Sequence, residues 1–574
     1  MQSEQELIEA AKAWSVADPD PQTQSELAQL IEAKDWVELR ERMAGTLSFG
    51  TAGLRGIVGA GSNRMNRAVV LRTSSGLASY LLKHVPDAKT LPVIVGYDGR
   101  LTSEEYAQAT IAVLTRAGIP VRYFSMPAPT PLVAYAARQL AASAAVVITA
   151  SHNPPEYNGY KVYAGNAIQI VPPVDEQIAA AIANAPPPKD VPLSDFELAK
   201  PNANATLIPD SLIERYYDDI LTIRPACEKD QNIEIVYTPM HGVGWRFMQQ
   251  AFARSGYQRV SVVAEQAEPD GHFPTVKFPN PEEPGAMDLA FALAKKMNAD
   301  LVVANDPDAD RLAIALPEKG GYRQLTGNQV GLLLADFALE YASKLPRPLV
   351  AQSIVSSPML ESLALSHGAA YAQTLTGFKW IWNAALDLER DEGVRFCFGY
   401  EEALGYSIGP LVRDKDGISV GVVFADLVAQ CKARGTTALA RLSELYRKHG
   451  LWVSGQRSLV LPGTSGQAQI AAAMHKVAAT PPTQLSSREV VGTTDYQQGE
   501  AGRPRWLHNT SLFELRLSGG GRVLVRPSGT EPKLKIYVDL RVEVSPTEDL
   551  KLREVEAETE AKAIAAATES FLLS

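Results

Sequence analysis

Ser151 stands in Thr149-Ala150-Ser151-His152-Asn153-Pro154-Pro155, directly after the apolar run Ala144 to Ile148. A serine can carry a covalent group when a rigid backbone presents its hydroxyl to a substrate. Asn153-Pro154-Pro155 supplies rigidity, because proline fixes its own φ and restrains the residue before it. His152 is adjacent and Lys161 follows ten positions on. An ordinary surface turn has a similar composition, so this loop alone does not decide the chemistry.

Three further loops bear on it. Asn305-Asp306-Pro307-Asp308-Ala309-Asp310-Arg311 follows the apolar run Leu301 to Ala304. Three carboxylates at alternate positions repel one another unless something neutralises them. A hard divalent cation with oxygen ligands does so, and magnesium suits a site that must also admit a phosphate oxygen. The twelve-residue calcium-loop spacing is absent. Arg311 can aim its fork at a phosphate. In Gly399-Tyr400-Glu401-Glu402-Ala403-Leu404-Gly405-Tyr406, two carboxylates between glycines suit the vicinal hydroxyls of a sugar, and Arg413-Asp414-Lys415-Asp416-Gly417 adds two cations beside them. Arg526-Pro527-Ser528-Gly529-Thr530-Glu531-Pro532-Lys533 combines cations, hydroxyls and an open backbone in a phosphate cradle, without the usual nucleotide-loop spacing. Phe49 to Gly56 is glycine-rich, carries Arg55 and can approach an anion closely.

These loops need a scaffold. Short Val/Ile/Leu runs at Pro92 to Gly96, Ile233 to Tyr237, Leu301 to Ala304 and Val394 to Phe398 alternate with helical stretches, which predicts α/β domains. A helix is expected over Ser103 to Gly118, with Ser103 as its cap and Gly118 as its stop. Residues 1–45 read as two amphipathic helices, with Leu7, Ile8, Ala11 and Trp14 on one face and Leu27, Leu30, Ile31 and Trp36 on another. Linkers are expected at Ala185 to Asn204, Pro462 to Gly466 and Thr480 to Ser487. The last quarter, with strands at Gly521 to Arg526 and Lys535 to Leu540 and a helix from about Thr547 to Phe571, reads as an α+β domain. In α/β sheets, ligands sit in loops beyond the strand ends.

At 574 residues the chain is too long for one core, and 46% hydrophobic with 21% charged residues suits a folded protein. A net charge of -10 gives no general attraction for nucleic acid or an anionic membrane. Cys227, Cys397 and Cys431 form neither a disulfide framework nor a zinc spacing, so a cytoplasmic setting is expected. The opening residues read as the start of a helix rather than a targeting peptide.

Taken together, in this order, the four loops resemble those of the α-D-phosphohexomutase superfamily. Thr149 to Pro154 looks like its phosphoserine loop and Asp306 to Arg311 like its magnesium loop. Glu401 with its glycines looks like the sugar-recognition loop, and Arg526 to Thr530 like the phosphate-binding loop. The resemblance implies three α/β mixed-sheet domains plus a C-terminal α+β domain around a central cleft. The expected boundaries are a helical extension over 1–45 and domains over 46–205, 206–322, 323–452 and 453–574.

The resemblance also implies roles. Ser151 carries the phosphoryl group, Asp306, Asp308 and Asp310 hold magnesium with a phosphoserine oxygen, and Lys161 acts as general base. Arg55 and Arg311 lie near the transferring group, and His152 orients the loop or bonds the substrate. Thr376, Gly377, Glu401, Ala403, Arg413 and Lys415 meet the sugar phosphate; Arg526, Ser528, Gly529, Thr530 and Lys533 take the phosphate that is not reacting. The form with Ala403, where many relatives have serine, resembles the phosphoglucomutase branch that also contains phosphopentomutases.

The expected activity is interconversion of glucose 1-phosphate and glucose 6-phosphate through glucose 1,6-bisphosphate, which also primes the enzyme. Phosphomannomutase or phosphopentomutase activity is the alternative. A magnesium phosphatase with an aspartyl nucleophile and a non-catalytic sugar-phosphate binder are the more distant readings. Small-molecule sugar phosphates are the expected partners of a monomer or weak dimer.

Overall fold

A computed structural model describes residues 3–50, 53–461, 463–499, 502–527, 533–545 and 547–574. The chain divides into two compact units. The first comprises Met1–Arg224, Asp230–Gln324 and Gly405–Asp426; the second comprises Pro225–Lys229, Leu325–Leu404 and Leu427–Ser574.

The first unit holds two sheets. One has six strands in the order Leu54–Ile57, Tyr157–Ala164, Ala144–Ile148, Val93–Tyr97, Val121–Tyr123 and Ala205–Leu207. The last four run parallel, and Tyr157–Ala164 is antiparallel to both its neighbours. Val93, Val95, Val146 and Ile148 are buried against the helices Arg67–His84 and Ser103–Arg116, which explains why these strands read as unbroken apolar runs. The other sheet has five strands in the order Gly321–Gln324, Ala313–Glu318, Leu301–Ala304, Ile235–Thr238 and Val260–Val262, again of mixed direction. Ala144–Ile148 and Leu301–Ala304 deliver the serine and aspartate loops at their C-terminal ends.

In the second unit, Ala370–Thr374, Pro348–Ser353 and Arg395–Glu401 run parallel. A six-stranded sheet, antiparallel throughout, follows in the order Leu451–Val460, Lys533–Val542, Arg522–Pro527, Phe513–Leu517, Arg488–Asp495 and Gln484–Leu485. The helix Leu550–Leu573 buries Ala557, Ala561 and Ile564. Three domains are therefore α/β and the C-terminal one is α+β. Arg522 joins the last two: it pairs with Asp539 at 2.8 Å and donates to the carbonyls of Ile354 and Ser356 at 2.8 and 2.7 Å.

Several expectations need correction. The N-terminal segment forms three helices, Glu4–Ala17, Pro21–Glu32 and Trp36–Met43. Lys34 adopts φ +55°, and Asp35 Oδ1 accepts from the Glu38 amide at 3.1 Å, so a new helix starts where one was expected to continue. Leu7, Ala11, Leu27 and Leu39 form its core with Ala60. Ser103 is not a cap; its hydroxyl donates to Asp98 at 2.6 Å. The expected linker Ala185 to Asn204 contributes Val191, Phe196 and Leu198 to the buried core of the first domain, because those apolar side chains outweigh the prolines around them. In the second expected linker, Pro462 lies outside the described residues, and Gly463 begins the helix Gly463–Ala479. Among the described residues, no helix is long and apolar enough to cross a membrane.

Candidate active site

The serine loop is held from beneath. Ser151 is buried and adopts φ +52°, a left-handed conformation that a side chain rarely takes. Its amide donates to Thr149 Oγ1 at 2.8 Å. Arg100 surrounds the loop's carbonyls: Nη2 donates to Ser151 O at 2.8 Å and Asn153 O at 2.5 Å, and Nη1 to Pro154 O at 2.7 Å and Tyr157 O at 2.9 Å. Its Nε lies 3.2 Å from Asp98 Oδ2. Gly159 permits the close crossing beside the loop, since a Cβ there would lie 2.6 Å from Thr149 O and 2.8 Å from Leu54 O. Arg55 reaches Asn153 Oδ1 at 3.3 Å.

The Ser151 hydroxyl donates to Asp306 Oδ2 at 2.7 Å and lies 3.2 Å from His152 Nδ1. Burial, together with Arg311 and Arg55, holds the His152 imidazole well below its usual range, so it is neutral at neutral pH.

Asp306, Asp308 and Asp310 are all buried, and one ligand oxygen from each lies within 4.8 Å of the others. Ala309, at φ +55°, turns the loop so that alternate side chains converge. Thr130 fixes Asp308 twice, hydroxyl to Oδ2 at 2.7 Å and amide to the main-chain carbonyl at 3.0 Å. The Arg311 amide donates to Asp306 Oδ1 at 3.0 Å. Lys161 Nζ bridges Asp308 at 2.7 Å and Asp310 at 3.1 Å, and Lys415 Nζ lies 3.3 Å from Asp310.

The three acids lie close enough for the charge of each to act on the others. Burial and the charges of Asp308 and Asp310 push Asp306 well above the carboxylate range. Burial also opposes ionisation of Asp308 and Asp310, yet the lysines beside them hold both below that range. Burial would lower Lys161, but Asp308 and Asp310 raise it, so it is an ammonium here. The Oδ1 atoms of Asp308 and Asp310 are buried without a hydrogen-bond partner. Buried carboxylate oxygens that lack donors are ready ligands for a hard cation, and the donor set suits magnesium.

Of the residues expected to meet the sugar phosphate, Lys415 lies against Asp310 and Arg413 donates to the Asn166 carbonyl at 2.8 Å, both within the first unit.

The second unit holds the remaining groups. Glu401 Oε1 accepts from the Gly377 amide at 2.6 Å, at the start of the helix Phe378–Glu392, where backbone donors lack helical partners. Gly377 adopts φ +112°, open to glycine alone among common residues. Thr376 Oγ1 accepts from Arg526 Nη1. Ala403 is half-buried beside Leu404, at φ +63°. The Glu402 carboxyl, read as a second sugar ligand, is instead engaged by Ser353 and Ser356 at 3.0 and 3.2 Å. Lys533 opens the last long strand in register with Val460. Ser528, Gly529 and Thr530 lie outside the described residues.

Sequence reasoning missed Arg100 and Thr130. Tyr97-Asp98-Gly99-Arg100 places an ion pair directly after a buried strand, which was a readable signal. Thr130 begins the helix Thr130–Gln139 and had no comparable one.

The chain matches the four phosphoglucomutase/phosphomannomutase domains in order: alpha/beta/alpha domain I over residues 46–188, II over 214–320, III over 326–449 and the C-terminal domain over 498–561. It belongs to the phosphoglucomutase/phosphomannomutase family. It is accordingly an enzyme of the mutase class, within the α-D-phosphohexomutase superfamily. A probable phosphomannomutase of Haemophilus influenzae is 39% identical over 487 residues, covering 83% of this chain and 93% of that one. A phosphoribomutase of Saccharomyces cerevisiae is 37% identical over 580 residues, covering 93% and 92%. The crystal structure of parafusin, a Paramecium phosphoglucomutase, shares the fold with a TM-score of 0.67 and 17% identity, covering 92% of this chain and 96% of that one.

Proposed function

We propose that this family member moves a phosphoryl group between C1 and the terminal carbon of a sugar monophosphate, with Ser151 as the carrier. The observation that carries the reading is the Ser151 hydroxyl, 2.7 Å from Asp306 and beside two buried carboxylate oxygens that lack partners. A hydroxyl of the sugar attacks phosphorus on phosphoserine; its new P–O bond forms as the Ser151 P–O bond breaks. The sugar hydroxyl's proton passes to a base, a role open to Lys161 once its ammonium has lost a proton. The resulting bisphosphate reorients and returns its other phosphoryl group to Ser151. Arg55 and Arg311 are cations for the transferring group, and neutral His152 fixes the serine hydroxyl.

Asp306, Asp308 and Asp310 would hold magnesium together with a phosphoserine oxygen. Bound there, it neutralises charge on the transferring group, where phosphoryl transfer needs help. Glu401, with Thr376, Gly377 and the Ala403 turn, would take the sugar. Arg526 with Ser528, Gly529, Thr530 and Lys533 would take the distal phosphate, and Arg413 and Lys415 are further proposed substrate contacts. A lost bisphosphate leaves Ser151 bare, so glucose 1,6-bisphosphate serves as primer.

For the sugar, the hexose reading is glucose 1-phosphate and glucose 6-phosphate. A second reading, ribose 1-phosphate and ribose 5-phosphate, is favoured by the likeness to the yeast phosphoribomutase, which covers 93% of this chain. The proposed domains are 46–205, 206–322, 323–452 and 453–574 after a helical extension over 1–45, in a cytoplasmic monomer or weak dimer.

Labelled glucose 1,6-bisphosphate, incubated with the protein and followed by peptide mapping, tests the carrier. Label should reside on Ser151, and Ser151→Ala should lose at least about 10³-fold in turnover. Undiminished turnover by Ser151→Ala overturns the proposal. A panel of glucose, mannose and ribose 1-phosphates with magnesium and the matching bisphosphate assigns the sugar.

A further inference from the structure

Glu402 has no part in the chemistry above, yet it is the most heavily engaged side chain of the loop that carries Glu401. Its Oε2 accepts from Ser353 Oγ at 3.0 Å and from Ser356 Oγ at 3.2 Å, and its amide donates to Ser356 Oγ at 3.1 Å. The two serine hydroxyls lie 2.9 Å apart, and the Ser356 amide closes on Ser353 O at 3.0 Å. Both serines are fully buried at the end of the strand Pro348–Ser353, so they form a fixed anchor.

The rest of the loop is bracketed too. Tyr400 OH donates to Asn328 Oδ1 at 3.1 Å, and that oxygen also accepts the Ser357 amide at 2.9 Å. Gly327 lies so close that a Cβ there would come within 1.8 Å of the Glu402 carbonyl. Glu401 is thus placed by a loop tied down on both sides of it.

One tie in this bracket can change its charge near neutral pH. Burial, then repulsion from Glu401, raises the Glu402 carboxyl to about 7, although the serine bonds favour its ionised form. The titratable groups that face it are Glu401 on its own loop, Tyr400 on the strand Arg395–Glu401 and Tyr537 on the strand Lys533–Val542. Tyr400 and Tyr537 are held above the usual phenol range and stay neutral there.

We propose that Glu402 is a positioning residue, a protonated strut that holds Gly399 to Leu404, and with it Glu401, in the sugar-binding arrangement and loosens that hold on ionisation. The sign follows from linkage: a group raised in the bracketed loop ionises more easily once the loop is released. The hold is complete below the ordinary glutamate range and is lost as pH rises through about 7. The inference rests on the reading that Glu401 meets the sugar.

The test compares the full-length protein with Glu402→Gln at about pH 6 and pH 8. Hydrogen exchange of the Tyr400 to Tyr406 amides, corrected for intrinsic rates, reports the loop without any substrate. KM and kcat for glucose 1-phosphate report the sugar site. For the parent protein, loop protection should fall about tenfold and KM should rise about tenfold with pH, while kcat follows no such step. Glu402→Gln, neutral at both pH values and still able to bond the serines, should keep the low-pH protection and KM throughout.

The same pH-dependent loss in Glu402→Gln, or none in the parent, overturns the strut. Failure of the sugar reading shows differently: no sugar phosphate is turned over, while the exchange result still decides the strut. If Glu402→Gln does not fold, Ser353→Ala is the second variant. It removes a donor that favours the ionised form, so the step should move to higher pH; an unmoved step overturns the proposal.

Discussion

The guanidinium of Arg100 donates to the carbonyl oxygen of Ser151 at 2.8 Å. With three further carbonyls of the same loop and Asp98, it fixes the backbone conformation that points the serine hydroxyl at Asp306. Replacing Arg100 by alanine removes the cation beside buried Asp98 and leaves four carbonyls without that donor. We expect Arg100→Ala to cost about 3–5 kcal/mol in stability, and surviving protein to incorporate little label at Ser151. Arg100→Lys should recover only part of the loss, because one ammonium cannot span four carbonyls. Denaturant melts and the labelling assay check both.

The unpartnered oxygens of Asp308 and Asp310 carry a metal prediction. Asp308→Asn should weaken magnesium by at least about 100-fold, read by titration calorimetry. Chelation should abolish turnover in the parent protein, and added magnesium should restore it. Full activity in excess chelator would remove the metal from this account.

Gly327 allows helix Gly327–Glu340 to approach the sugar loop, with room for no Cβ against the Glu402 carbonyl. Gly327→Ala forces that backbone apart, at about 1–3 kcal/mol. KM for the sugar phosphate should rise, while magnesium affinity, which depends on first-unit residues, should not change.

Two cysteines are predicted to be unreactive. Burial raises Cys397 to about 12 and raises Cys431 as well, so thiolate formation is disfavoured at both. A brief alkylation of native protein at pH 8, followed by mass mapping, should mark Cys227 far ahead of either. Rapid labelling of Cys397 would mean that its strand, Arg395–Glu401, opens readily.

The strands Ala144–Ile148 and Leu301–Ala304 were legible because parallel strands covered on both faces are continuous apolar runs, and such runs are short-range signals. The serine and aspartate loops after them were legible for a similar reason: three alternating acids and a proline-bounded serine need no partner to be noticed. The third N-terminal helix was missed because its start depends on one capping contact, Asp35 to Glu38. The segment Ala185 to Asn204 was misread because composition does not show that Phe196 and Leu198 dock into a core.

Residue order alone supplied the inventory: a proline-bounded serine, three alternating acids, glycines where the backbone must turn, and the order of the loops. Residue type and local spacing suffice for that, since they set which bonds and charges are available. Folding then separated carboxylates that look alike along the chain. It gave Glu401 the Gly377 amide and Glu402 two serines. It also set Lys415, a hundred residues along the chain from the aspartate loop, against Asp310. Neighbouring acids in one loop are chemically alike until burial and distant donors separate them, and those donors are brought near only when the chain folds.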